Sequence, residues 1–286
     1  MRAVWVVGTF ILTTLVVGFC WSLLESVFPF TYSTAAQDDP GLLFVTLGNF
    51  ISALSATLIC RLVFGAPVGL VTPLAGRGFL VGATLGTALL AVSVGAQVIS
   101  GHGTLTWAGL SLGATLMAGL QHLVVIGLTS VAEEFLIRGV AFRALLKVWP
   151  AWVVVVLSGL IFGAMHLFNP HSTLQAAVGI SLVGFWFGLL VVKTNTLATG
   201  IGLHLAWNFA EGFIFGQPVS GIAPGVSVFT ATWSPEVSFF SGGDFGPELS
   251  GVTLLLLTGG VVFSVLMKPW PEKESAESDT SEALSH

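Results

Sequence analysis

The stretch GLTSVAEEFLIRGVAF, residues 127–142, sets two adjacent glutamates and an arginine inside a run that otherwise reads as lipid-embedded helix. An ionised side chain near the centre of a bilayer costs about 2.5 kcal/mol or more on insertion scales. Glu133, Glu134 and Arg138 fall within six residues of one another, a concentration of cost that points to function. Residues four apart share a helix face, so Glu134 and Arg138 can pair and lower the cost of both charges. Glu133, about 100° around the helix, is left to face something else.

The rest of the chain supports a membrane setting. Of 286 residues, 54% are hydrophobic and 8% charged, with a mean hydropathy of +0.94; an ordinary soluble domain has roughly 25% charged residues. About 20 apolar residues span the hydrocarbon core. Such stretches lie near 3–24, 42–61, 78–100, 106–129, 130–147, 151–168, 174–192, 196–216 and 250–267. The segment 106–147 is too long for one span and too short for two. The simplest resolution makes part of 106–129 a loop or a broken helix leading into one long tilted helix that ends at Lys147. The expected fold is therefore an all-α polytopic membrane helix bundle of about eight transmembrane helices around a polar intramembrane cavity. Its expected parts are N-terminal transmembrane helices over 1–105, a core over 106–216 that holds the intramembrane charges, an extracytoplasmic loop over 217–249, a last transmembrane helix over 250–268 and a disordered cytoplasmic tail over 269–286. The tail's Glu, Ser and Asp content with few apolar residues predicts that disorder.

Lys and Arg gather on the cytoplasmic side of membrane proteins. With the amino terminus inside, Arg2, Arg61, Arg77, Arg138, Arg143, Lys147, Lys193, Lys268 and Lys273 all fall at or towards the cytoplasm, and the opposite loops 25–41, 101–105, 168–173 and 218–249 hold no basic residue. The expectation is an integral plasma-membrane protein with both termini cytoplasmic. The first span reads as an anchor, since it is too long for a typical signal-peptide core and no small-x-small cleavage site follows it directly. Cys20 and Cys60 lie within spans and read as small hydrophobes. Glycines at Gly78, Gly82, Gly86, Gly109 and Gly113 suit close helix packing. The net charge of −5 and the lack of a basic stripe with interleaved aromatics argue against a nucleic-acid partner.

Three segments carry polar groups to one depth. Pro150 stops the long helix, and in a hairpin about it Glu134 and His166 are each sixteen positions from the turn (150 − 134 and 166 − 150). Phe162, in FGAMH, flanks His166 on the same face. The third segment, HLAWNFAEG (204–212), places His204, Asn208 and Glu211 in one stripe. At 1.5 Å per residue from Lys193, His204 and Asn208 lie roughly 16 and 22 Å into the membrane. A carboxylate and an imidazole on facing helices can together deprotonate a water, and a second imidazole with an amide can stabilise an oxyanion. Such an array fits peptide-bond hydrolysis. Glu211 reads as an outer-mouth or supporting polar residue, and no role is assigned to His102, His122 or His171.

Glu133-Glu134-x-x-x-Arg138, Phe162-x-x-x-His166 and His204-x-x-x-Asn208 together resemble the three motifs of the CAAX protease and bacteriocin-processing (CPBP, or Abi) family of intramembrane proteases. The resemblance covers about residues 120–216. It implies an endopeptidase in which Glu133 and His166 activate water, His204 and Asn208 stabilise the oxyanion or support the site, and Glu134, Arg138 and Phe162 have structural or substrate-orienting roles. The implied substrate is a membrane-associated, CAAX-type or otherwise lipidated protein or peptide, and membrane lipids are the other expected partner. Metal-free catalysis is placed first; a zinc-dependent metalloprotease with Glu133, His166 and His204 as ligands stays open as the alternative mechanism. The rival reading from another class is a non-enzymatic scaffold or bacteriocin-immunity-type factor. A transporter is disfavoured, because no inverted repeat or paired broken helix is visible.

Overall fold

The computed structural model describes residues 2–27, 36–66 and 75–269 of the chain. The expected tail lies outside the described residues from 270 onward, as do 28–35 and 67–74 within two of the expected loops. Helices dominate: α1 (Arg2–Val27), α2 (Pro40–Phe64), α3 (Ala75–Ile99), α4 (Leu112–Arg138), α5 (Val140–Leu145), α6 (Ala151–Met165), α7 (Leu174–Thr194), α8 (Ala198–Phe209) and α9 (Gly251–Leu266). Among the described residues six segments are long and apolar enough to cross a membrane, the fourth running from Leu112 to Leu145 through both α4 and α5. The chain is thus a multi-pass membrane protein. At 1.5 Å per residue the 16-residue α9 is about 24 Å long, short of the roughly 30 Å hydrocarbon thickness.

The ambiguous 106–147 region resolves into strand, loop and one interrupted helix. Ser111 caps α4 by accepting a hydrogen bond from Ala114 N, which fixes its start. Gly139 then breaks the helix directly after Arg138; a side chain there would strike the Phe135 carbonyl. Pro150 starts α6 as expected. Arg138 and Phe162, each twelve positions from Pro150 (150 − 138 and 162 − 150), stack with the guanidinium carbon 4.3 Å from the ring centroid.

A two-stranded antiparallel sheet adds to the helical plan. β1 (Gly103–Trp107) pairs with β2 (Phe229–Trp233), Gly103 opposite Trp233 and Trp107 opposite Phe229. The sheet ties the loop after α3 to the long 217–249 segment, where only loop was expected.

Close helix contacts fix α8, which carries His204 and Asn208. A methyl on Gly82 would collide with the Thr199 carbonyl, and one on Gly86 with the Leu203 carbonyl, so α3 and α8 meet backbone to backbone. Gly109 and Gly113, expected to pack likewise, have no neighbour within 4 Å of an added Cβ; Gly109 instead occupies a positive-φ turn before α4. At the end where α7 turns into α8, Asn195 adopts the left-handed conformation and receives two hydrogen bonds from Arg143 of α5, to Oδ1 (3.0 Å) and to the backbone carbonyl (3.2 Å). Cys20 and Cys60 are both free, Cys60 buried against the Val6 carbonyl.

Candidate active site

Glu134 and Arg138 form the expected i,i+4 pair, 2.9 Å apart and both fully buried. The arginine is held on two further sides, donating to the Gly184 carbonyl of α7 (3.2 Å) and lying over the Phe162 ring. These contacts neutralise its charge in a place water cannot reach. They also fix the rotation of α4 and thereby turn Glu133 into an adjoining cavity, where its side chain is 23% exposed.

That cavity, of about 230 Å³, gathers Glu133, His166, His204 and Asn208 along one wall system. Four residues from three separate sequence motifs thus face one space. His204 presents one nitrogen to each glutamate, Nε2 at 3.8 Å from Glu133 Oε2 and Nδ1 at 3.7 Å from Glu134 Oε1. Both separations exceed a hydrogen bond, and catalytic contacts of this kind commonly tighten only when substrate is bound. The sequence reading set Glu133 against His166; among the described ion pairs its imidazole partner is His204.

His166 sits where α6 tightens into a 3₁₀ turn over residues 166–168. Its Nδ1 lies 2.8 Å from the Phe162 carbonyl, an acceptor only, so Nδ1 carries the proton and Nε2 is left as a base. The Phe162 ring packs against His166 (4.7 Å between centroids) and edge-on to His204 (6.1 Å), which accounts for an aromatic residue in that motif.

Residues outside the three motifs complete the wall. Thr46 and Asn49 come from α2, Asn169 from the turn after α6, and Ser220 from the 217–249 segment. Sequence reasoning missed all four. The available signal was Asn49, an amide in the middle of an apolar span, three residues from Thr46 and so on the same face. Among the described residues no group of three His, Cys, Asp or Glu side chains converges tightly enough to hold a metal ion. His122 bridges the Ala118 and Pro224 carbonyls instead of facing the cavity.

Residues 115–210 match the family model of the Rce1-like type II CAAX prenyl endopeptidases. Over that segment the chain is similar to this family. No curated protein matches the chain. The Rce1-like segment runs from the first turn of α4 to the end of α8 and so contains all three motifs, whereas Thr46, Asn49 and Ser220 reach the same cavity from outside it.

Proposed function

We propose that this protein is an intramembrane endopeptidase that hydrolyses a peptide bond of a membrane-associated, lipidated protein or peptide of the CAAX type. The observation that carries the reading is the convergence of Glu133, His166, His204 and Asn208 on one cavity within an Rce1-like core. In this reading Glu133 takes a proton from water. The nucleophile attacks the scissile carbonyl while His204 and Asn208, one helical turn apart, donate to the developing oxyanion, and the proton passes to the leaving amine. His166 Nε2, freed as an acceptor by the Nδ1 contact to Phe162, orients the same water. Catalysis proceeds without a metal in this scheme.

A lipid-bearing substrate is supported by a second feature. An almost wholly apolar groove of about 460 Å³ runs between α1, the α4–α5 segment and α6. Met165, next to His166, borders both this groove and the polar cavity. A hydrocarbon chain seated there would bring an attached peptide to Glu133.

The test is cleavage of matched lipidated and unlipidated peptides by the purified protein in lipid discs. Wild type should cleave, while Glu133→Gln and His166→Ala should fold and lose about 10²-fold or more in kcat. Full activity in Glu133→Gln overturns the assignment of the base. Loss of activity on chelation, restored by zinc, overturns the metal-free scheme.

A further inference from the structure

Glu211 continues the His204–Asn208 stripe, yet the chemistry above makes no use of it. It lies in a π-helical turn over Ala210–Ile214, fully buried, with neither carboxylate oxygen holding a regular hydrogen bond. A π turn inserted after an α-helix is a costly irregularity, found mostly at functional positions. What Glu211 meets there is a second carboxyl group, Glu248, from the far end of the 217–249 segment. The two converge over Gly246, where an added Cβ would collide with Glu248 Oε2 and stand 3.2 Å from Glu211 Oε1. Gly246 has φ +130°, so this close approach needs glycine on both counts.

Two buried carboxylates cannot face each other as anions; one of them must be protonated and bridge to the other. The other oxygen of Glu248, Oε1, has a defined task. It accepts from both the backbone N–H and the hydroxyl of Ser220, each at 2.9 Å. Ser220 is a non-glycine residue at φ +47°, at the tip of a tight turn closed by reciprocal hydrogen bonds between Val219 and Ile222. Its carbonyl accepts from Asn169 Nδ2 at 2.9 Å. Val219, Ser220 and Ile222 of this turn line the polar cavity together with Thr46 and Asn49 of α2, and Ser220 also borders a smaller pocket together with Glu248, His166, His204 and Asn208.

We propose that Glu211 and Glu248 share one proton and thereby clamp the 218–222 turn over the cavity, making both of them positioning residues for the reaction. The catalytic part of this statement rests on the endopeptidase reading; the clamp itself does not.

The clamp has a definite pH sense. Burial raises the Glu248 carboxyl above the usual carboxylate range, its hydrogen bonds opposing that shift. A carboxyl raised in the folded state contributes stability that is fully present below the unfolded value and lost as pH rises through the folded value. The groups around the pair do not supply a compensating cation. The Trp207 indole faces Glu211 without a regular hydrogen bond, Ser220 faces Glu248, and the ion pairs among the described residues leave both glutamates out. Among the described residues His166 and His204 border the small pocket with Glu248, and the His122 ring stands 3.8 Å from where a Cβ on Gly212, next to Glu211, would lie.

The experiment is hydrogen–deuterium exchange of residues 217–222 in the full-length protein in lipid discs, corrected for intrinsic exchange, from about pH 5 to about pH 9. Wild type, Glu248→Gln, Glu211→Gln and Glu248→Ala are compared, with cleavage kinetics alongside. Wild-type protection should fall as pH rises. Glu248→Gln, whose amide accepts from Ser220 and donates to Glu211, should keep the protection and flatten its pH dependence, with Glu211→Gln doing the same. Glu248→Ala should lose about tenfold or more in protection at every pH, and KM should rise more than kcat falls. Equal protection in Glu248→Ala and wild type overturns the clamp. If Glu248→Ala fails to fold, a wild-type pH profile identical to that of Glu248→Gln overturns it instead. Absence of any cleavage by wild type would count against the endopeptidase reading while leaving the exchange result intact.

Discussion

Replacing Arg138 with methionine isolates how this bundle tolerates charge in its interior. In the wild type the guanidinium and the Glu134 carboxylate are both fully buried at 2.9 Å. Arg138→Met leaves Glu134 with its Oε1 stripped of a partner beside an Oε2 that already has none. Breaking a buried pair from one side costs about 3–5 kcal/mol, because an uncompensated charge remains. The contact with Phe162 at 4.3 Å is lost as well, a term of about 2 kcal/mol when desolvated. Removing both charges in Arg138→Met/Glu134→Leu leaves no buried ion behind, and the Gly184 carbonyl, in the middle of α7, keeps its place in the helix's own hydrogen-bond ladder. The double variant should therefore be more stable than the single Arg138→Met variant. Reversible unfolding in mixed micelles, followed through the nine tryptophans, measures all corners of the cycle. Single-variant losses that add to the double-variant loss within about 0.5 kcal/mol would mean that the two charges are not coupled, and the account of α4 given above would fall.

Two further outcomes follow from the packing. Gly82→Ala drives a methyl into the Thr199 carbonyl and toward Leu203 N at 2.8 Å. It should destabilise by about 1–3 kcal/mol and, by shifting α8, lower kcat; wild-type stability and kcat in this variant would show that the α3–α8 contact does not set the position of His204. Leu157→Trp, in the wall of the apolar groove, should raise KM for a lipidated peptide and leave the unlipidated one unaffected, and an equal effect on both would remove the groove from substrate binding.

The sequence made some of this architecture legible because helical spacing is a local property. The Glu134–Arg138 pair follows from a four-residue separation, and the place of Phe162 beside His166 follows from the same spacing. The grouping of His204 with Asn208 needs only that both lie on one helix. What stayed hidden depends on which distant segments meet. Nothing in the 217–249 composition points to Ser220 as a cavity wall or pairs Glu248 with Glu211. The short β1–β2 ladder was overshadowed by the apolar run that begins beside it. The choice of His204 over His166 as the nearer imidazole to Glu133 was equally out of reach, since it turns on the 3₁₀ tightening after Met165 and on a contact between His166 and the Phe162 carbonyl.

The bond pair from Arg143 to Asn195 has a mechanical meaning for the cavity. Glu133 rides on α4 and His204 on α8, and the guanidinium at the end of the α4–α5 segment is fastened to the short link from which α8 departs. The two helices that carry Glu133 and His204 are therefore joined near one end like the blades of a pair of tongs, with the pivot at Arg143. Widening the space between Glu133 and His204 then becomes an angular motion, small near the pivot and growing with distance from Arg143.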